Sequence, residues 1–218
     1  MAVRNLILDM GNVLLTWAPR AFALRAAGNL QDAGILHSAL FDTVEWHLHD
    51  AGQIDEAELL RVSLSRAPQR LHDTLKVLHE QWPRWMAPIP GADTFTIRAR
   101  EAGLRLYLLS NAGTRFPEAL EERDFYPRLH GAVVSAHEKL TKPDRRIYER
   151  LCERFDLLPR ECLFVDDLVE NVDGAMKAGM ASHLFDGDYI KVEDRLRALG
   201  VALPGQADNC AGTQASGS

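Results

Sequence analysis

Five short apolar runs punctuate the chain: Leu6–Leu8, Leu104–Leu109, Ala132–Val134, Cys162–Val165 and Ser182–Phe185. Each is nearly continuous in hydrophobicity and does not alternate. That is the pattern of a parallel strand covered on both faces. Segments with helical spacing lie between them. Ala92–Ala102 precedes the second run and meets a stop signal at Gly103. Arg145–Phe155 sets Ile147, Leu151, Cys152 and Phe155 on one side, and Val172–Ala178 ends at Gly179. The alternation of strand and helix predicts an α/β fold, a Rossmann-like parallel-sheet core with crossover helices.

Residues 17–88 break this alternation. They carry no strand pattern and several helical ones. Asp55 and Glu58 form a capping-box pattern ahead of Leu59, Leu60, Val62 and Leu64, and Leu71, Leu75 and Leu78 recur at helical spacing. The stretch is far longer than an ordinary connection. The predicted organisation is a core made of residues 1–16 and 89–203, with a small α-helical cap, residues 17–88, inserted after the first strand. Pro88 and Pro90-Gly91 mark the return to the sheet. An insertion at a strand tip would sit over that tip as a lid. Residues 204–218, rich in Gly, Ala, Ser, Gln and Asn, read as a disordered tail.

Composition narrows the partners. The formal net charge is -6 and no long Lys/Arg run occurs, which argues against nucleic acid or an anionic membrane as the main partner. A small phosphorylated metabolite needs only one or two local cations and stays open. Cys152, Cys162 and Cys210 fit neither a disulfide framework nor a zinc spacing. The N-terminus lacks the apolar core and cleavage site of a signal peptide. No run reaches the length of a membrane span. A cytoplasmic protein is the expectation.

The chemistry gathers at the strand ends. The first run ends in Asp9, the second in Ser110-Asn111 and the fourth in Asp166-Asp167, with Asn171 four residues beyond the pair; Lys142-Pro143 follows the third. In a parallel sheet these ends converge on one edge, where ligands bind. An ionised Asp9 can attack phosphorus. Asp9 and the acidic pair can hold Mg²⁺, a hard ion that prefers oxygen ligands. Lys142 would neutralise phosphoryl charge, and Ser110 and Asn111 can donate hydrogen bonds to phosphoryl oxygens. Two adjacent carboxylates after a buried strand repel one another and call for compensation, which a metal or a helix N-terminus would supply.

These segments resemble the four motifs of the haloacid dehalogenase superfamily, in order: Asp9-Met10-Gly11-Asn12-Val13, Leu109-Ser110-Asn111, Lys142-Pro143, and Asp166-Asp167 with Asn171. Within that superfamily the chain resembles sugar-phosphate phosphatases of the α-D-glucose-1-phosphate phosphatase type. They share the Asp-x-Gly-Asn-Val opening and a stretch like His47-Leu48-His49-Asp50-Ala51-Gly52-Gln53-Ile54. The resemblance implies a hydrolase, a Mg²⁺-dependent phosphatase that passes through an aspartyl-phosphate on Asp9. It implies metal ligation by Asp9, the Gly11 carbonyl and Asp167, and phosphate binding by Ser110, Asn111 and Lys142, with Asp166 and Asn171 behind them. A sugar phosphate is the implied substrate.

One departure matters. Most phosphatases of the superfamily carry a second Asp two residues after the nucleophile, as acid and base; here that position is Gly11. Losing such help costs about 10²–10⁴-fold. The expectation is a substrate that leaves easily, as anomeric sugar phosphates and acyl phosphates do, or a proton role for His47 or His49. Two alternatives follow: a 2-haloacid dehalogenase using the same Asp9, and a phosphate-binding relative without turnover.

Overall fold

The computed structural model describes residues 3–205. β1 (Asn5–Leu8) is followed by α1 (Pro19–Ala27), α2 (Leu30–Leu40), α3 (Val44–Asp50), α4 (Glu56–Arg66) and α5 (His72–Trp85), an unbroken helical insertion. The chain then alternates: α6 (Ala92–Glu101), β2 (Arg105–Ser110), α7 (Phe116–Leu120), β3 (Leu129–Val134), α8 (Ser135–Glu138), α9 (Arg145–Phe155), β4 (Cys162–Asp166), α10 (Val169–Lys177), β5 (Ala181–Leu184) and α11 (Tyr189–Ala198). The strands form one parallel sheet in the order β3-β2-β1-β4-β5. The fold is therefore α/β with a helical insertion after the first strand. The disordered-tail expectation falls almost wholly on residues 206–218, outside the described residues, as does Cys210. Cys152 and Cys162 are buried and free.

The apolar runs have a direct cause in the sheet. Leu6 and Leu8 of β1 belong to one buried cluster, with Phe95 of α6 and Val192 and Leu196 of α11. Ile7, between them, belongs to the other, with Tyr107 and Leu109 of β2 and Ile147, Tyr148 and Leu151 of α9. Helices cover both faces, so successive residues of a strand are all buried and polar alternation disappears.

Local signals set several helix ends. The Asp55 carboxylate accepts from the Glu58 N–H at 2.8 Å and caps α4, as the capping pattern predicted. α10 begins at Val169, earlier than the apolar spacing alone indicates, because its first two residues, Val169 and Glu170, are exposed. β3 runs from Leu129, extending the expected strand backwards through His130 and Gly131. A Cβ on Gly131 would lie 2.3 Å from the Phe155 ring, so glycine lets α9 pack against this edge.

The insertion joins the sheet through two segments lying side by side. The Thr16 N–H donates to the Ala87 carbonyl at 2.7 Å, and the Ile89 N–H to the Leu14 carbonyl at 2.9 Å. Leu15 and Pro88 form an antiparallel bridge between them. Entry and exit therefore stand together beside the tip of β1, and the insertion lies over that tip. Among the described residues no helix is long and apolar enough to cross a membrane.

Candidate active site

The carboxyl ends of β1, β2 and β4 lie next to one another, because β1 is central with β2 and β4 as its neighbours. This brings Asp9, Ser110, Asn111, Lys142, Asp167 and Asn171 onto one cleft of about 520 Å³. Asp166 sits beneath it, fully buried.

Lys142 is the hub. Its ammonium is 2.7 Å from Asp9 Oδ1 and 2.6 Å from Asp166 Oδ2, and it donates to the Leu109 carbonyl at 3.1 Å. Burial alone would push this lysine down, but the two carboxylates outweigh it and hold its pKa above the ordinary value. Asp9 goes the other way. Burial raises it, Lys142 pulls it back and Asp166 raises it again, leaving it at about 6. Ionised Asp9 is thus short of compensating positive charge.

Asp166 and Asp167 behave differently although adjacent. Asp166 is fully engaged: besides Lys142, its Oδ1 accepts from the Leu168 N–H and the Asn171 Nδ2, each at 2.9 Å. Asn171 is held in turn, its carbonyl accepting from the Tyr148 hydroxyl at 2.8 Å. Asp167 is half-buried and accepts from Asn12 Nδ2 at 2.9 Å. Its pKa is raised by burial and by Asp166, against the pull of Asn12. Oxygens of Asp9, Asp166 and Asp167 lie within 4.8 Å of one another. Three carboxylates against one lysine, all oxygen donors, suit a hard divalent cation.

Asn12 is a site residue that the strand-end pattern did not single out. Its backbone is left-handed, φ 53°, a conformation Asn tolerates better than most residues. Its side chain spans two segments, accepting from the Trp17 N–H at 2.9 Å while donating to Asp167. An Asn directly after the glycine was the available signal. Asn111 has an unexpected main duty. Its amide oxygen accepts from the Lys142 N–H at 2.8 Å and its Nδ2 donates to the Lys142 carbonyl at 2.9 Å, clasping the lysine's backbone. One amide hydrogen remains for a ligand. The Ser110 hydroxyl has no partner among the described residues.

Gly11 does not need a positive φ. A Cβ there would sit 3.4 Å from Trp17 Cβ and 4.0 Å from Asp9 Oδ2. The space beside the carboxylate where a second Asp would stand is thus bounded by an indole.

The His47–Ile54 stretch divides between two places. His47 and Asp50 border the cleft. His49 does not, which removes it as a proton donor to substrate. It is buried at the seam between α3 and the core, 2.7 Å from Glu56 Oε1, and His79 is 3.1 Å from Glu56 Oε2. A Cβ on Gly113 would lie 1.9 Å from His49 Cε1, and one on Gly52 would lie 2.2 Å from the Ala136 carbonyl. The Ser135 hydroxyl donates to the Asp50 carbonyl at 2.5 Å. His49 and Gly52 therefore dock insertion to core. Burial by itself would lower His49, but the neighbouring Asp50 and Glu56 carboxylates lift it to about 9. Burial would raise Glu56, but His49 and His79 bring it to about 2.

The sign of the pH effect follows. His49 stabilises fully below its ordinary 6.5 and loses this as pH rises through about 9. Glu56 stabilises above its ordinary 4.5 and loses this as pH falls through about 2. His49→Ala should cost about 3 kcal/mol, as expected when one partner of a buried pair is removed. Thermal melts across pH 6–10 check this: the wild-type midpoint should fall faster than that of His49→Ala, and parallel curves would refute the role.

Comparison with known proteins extends these observations. A family model for haloacid dehalogenase-like hydrolases matches residues 3–179, most of the chain. The sesquiterpene phosphatase AstK of Aspergillus oryzae is 26% identical over 182 residues, covering 83% of this chain and 89% of its own. The (S)-2-haloacid dehalogenase 4A of Burkholderia cepacia is 30% identical over 95 residues, 43% of this chain and 41% of its own. Among solved structures, a HAD family enzyme of Bacteroides thetaiotaomicron, in complex with magnesium and inorganic phosphate, superposes with a TM-score of 0.66 at 18% identity, over 88% of this chain and 99% of the other. At that identity the likeness establishes the fold.

Proposed function

Because the chain belongs to the haloacid dehalogenase-like hydrolases, we propose that it is a Mg²⁺-dependent phosphomonoesterase with Asp9 as nucleophile. The observation that carries this is the surplus of carboxylate: Asp9, Asp166 and Asp167 crowd around a single buried lysine. Halide displacement from carbon by Asp9 requires no metal and gains nothing from such an acidic group. Phosphoryl transfer does gain, because its substrate is itself anionic.

In this reading residues 17–88 are the cap and residues 1–16 and 89–203 the core. Asp9, Asp167 and the Gly11 carbonyl would hold the ion, while Asp166 is committed to Lys142, Leu168 and Asn171. Bound Mg²⁺ would neutralise charge on the phosphoryl oxygens and lower the cost of ionising Asp9. Asp9 attacks phosphorus, and the bond from phosphorus to the alcohol oxygen breaks. The alcohol departs with the electron pair and takes up a proton. Water then attacks phosphorus of the aspartyl-phosphate, releasing inorganic phosphate and restoring Asp9. Lys142, Ser110 and the free Asn111 amide hydrogen hold the phosphoryl oxygens through both steps. With Gly11 in place of an acid, His47 and Asp50 are the proton carriers that border the cleft, and burial raises Asp50 above an ordinary carboxyl.

Two substrate classes are in play. The sugar-phosphate resemblance implies a sugar phosphate, but much of the His47–Ile54 stretch that carries it is engaged at the cap–core seam. AstK is, by its name, a sesquiterpene phosphatase.

The test is phosphate release from p-nitrophenyl phosphate. Activity should vanish in EDTA and return with Mg²⁺, and 2-chloropropionate should yield no halide. Halide release that persists in EDTA would assign the dehalogenase chemistry. A broad phosphate panel with no release would assign binding without turnover.

A further inference from the structure

The upper part of the cleft is built from aromatic rings. Trp17, Phe41, Trp46 and Trp82 all line it, and they come from four separate segments of the chain. They pack against one another: Trp17 lies 5.4 Å from Trp46 and 5.3 Å from Trp82, and Phe41 lies 4.9 Å from Trp46, between ring centroids. Phe41, Trp46 and Trp82 are buried, yet each gives part of its surface to the cleft. Three of the chain's four tryptophans thus face one cavity.

Polar groups of the insertion reach the cleft as well: His37, Asp42, His47 and Asp50 all line it. Asp42 and His47 are exposed, so they mark the rim. Trp46 lies beside Asp50 and favours its ionised form. The cleft thus has a floor of carboxylates and Lys142, and above it four aromatic rings interspersed with these polar side chains. A sugar could lay one face on an indole. Hydroxyls turned toward the ring faces, however, would leave water without a partner, and each unpaired hydroxyl is costly. A hydrocarbon loses nothing polar there. At about 520 Å³ the cavity falls in the range that encloses a small organic ligand.

Resting on the phosphatase reading, we infer that the substrate is the phosphomonoester of an apolar alcohol, with the hydrocarbon held among Trp17, Phe41, Trp46 and Trp82 and the phosphate at Asp9 and Lys142.

The experiment is a chain-length series on the wild-type protein with Mg²⁺: n-alkyl monophosphates from butyl to decyl, with glucose 1-phosphate, glucose 6-phosphate and p-nitrophenyl phosphate alongside. Each methylene that enters the cleft should raise kcat/KM about fourfold, the factor expected for burying one CH₂, until the cavity is full. Both glucose phosphates should fall below decyl phosphate. In parallel, tryptophan emission of Asp9→Asn should respond saturably to decyl phosphate, at lower concentration than to butyl phosphate or glucose 1-phosphate. A flat series, or a glucose phosphate preferred over every alkyl ester, would overturn the inference while p-nitrophenyl phosphate turnover left the phosphatase reading standing. If no ester is hydrolysed the phosphatase reading fails. The emission titration then decides the cleft: tighter decyl binding supports an apolar ligand, and equal binding refutes one.

Discussion

Asp9→Asn should abolish phosphate release, lowering kcat by more than about 10³-fold, while leaving the protein folded. Removing even one group that stabilises transition-state charge costs about 10²–10³-fold, and this change removes the attacking atom itself. The amide cannot form an acyl phosphate, yet it fills nearly the same volume. Stability should not fall. Burial and Asp166 lift Asp9 to about 6, so the ionised carboxylate is unfavourable where it stands, and a neutral amide is relieved of that cost. Lys142 keeps Asp166 as its partner at 2.6 Å. Steady-state kinetics and a thermal melt on one preparation check both halves. Near-wild-type turnover in Asp9→Asn would take the nucleophile away from this strand end.

The second large effect is at Lys142. Lys142→Met should cost about 3–5 kcal/mol of folding stability, the usual result of removing one partner from a buried ionic group. The side chain is 1% exposed and holds two carboxylates apart. Without it, buried Asp9 and Asp166 face one another with no cation between them. Turnover should fall about 10²–10³-fold in addition, because a charge on the phosphoryl oxygens is lost. Mg²⁺ should raise the melting temperature of Lys142→Met more than that of the wild type, since the ion would be the only remaining counter-charge. Chemical denaturation with and without Mg²⁺ measures these terms. An unchanged unfolding free energy would mean that Lys142 is not the electrostatic hub described above.

Much of the core was legible in the sequence because its signals are local. A strand covered on both faces must be apolar throughout, so Leu6–Leu8 and Cys162–Val165 announced themselves. A parallel sheet aligns its carboxyl ends, so Asp9, Ser110 and Asp166 could be placed together without coordinates. Asp55 caps α4 through atoms three residues apart, an interaction that sequence spacing alone can express. The remaining features depend on packing between distant segments. Asn12 and Asp167 meet across 155 positions, and nothing in either neighbourhood predicts the other. His49 looked like a proton donor because histidine titrates near neutrality. Its actual setting, between Glu56 and the Gly113 backbone, arises only when α3 docks on the core. The aromatic wall is the clearest case. Trp17, Phe41, Trp46 and Trp82 are scattered over four segments with no shared periodicity, and only the helical packing gathers them around one cavity.

That division also explains why chemistry was easier to read than specificity. The reacting groups stand at strand tips, whose positions the sheet dictates. The walls that select the alcohol come from helices whose mutual packing is not written in any short pattern.

The central claim is that Asp9 carries the phosphoryl group during turnover. Acid quenching of the Mg²⁺-loaded enzyme during hydrolysis of p-nitrophenyl phosphate, followed by peptide mass spectrometry, tests it most directly. The account predicts a peptide containing Asp9 heavier by one phosphoryl group, absent from Asp9→Asn and from samples quenched before substrate is added. A phosphoryl group on any other residue, formed at a rate matching turnover, would contradict it.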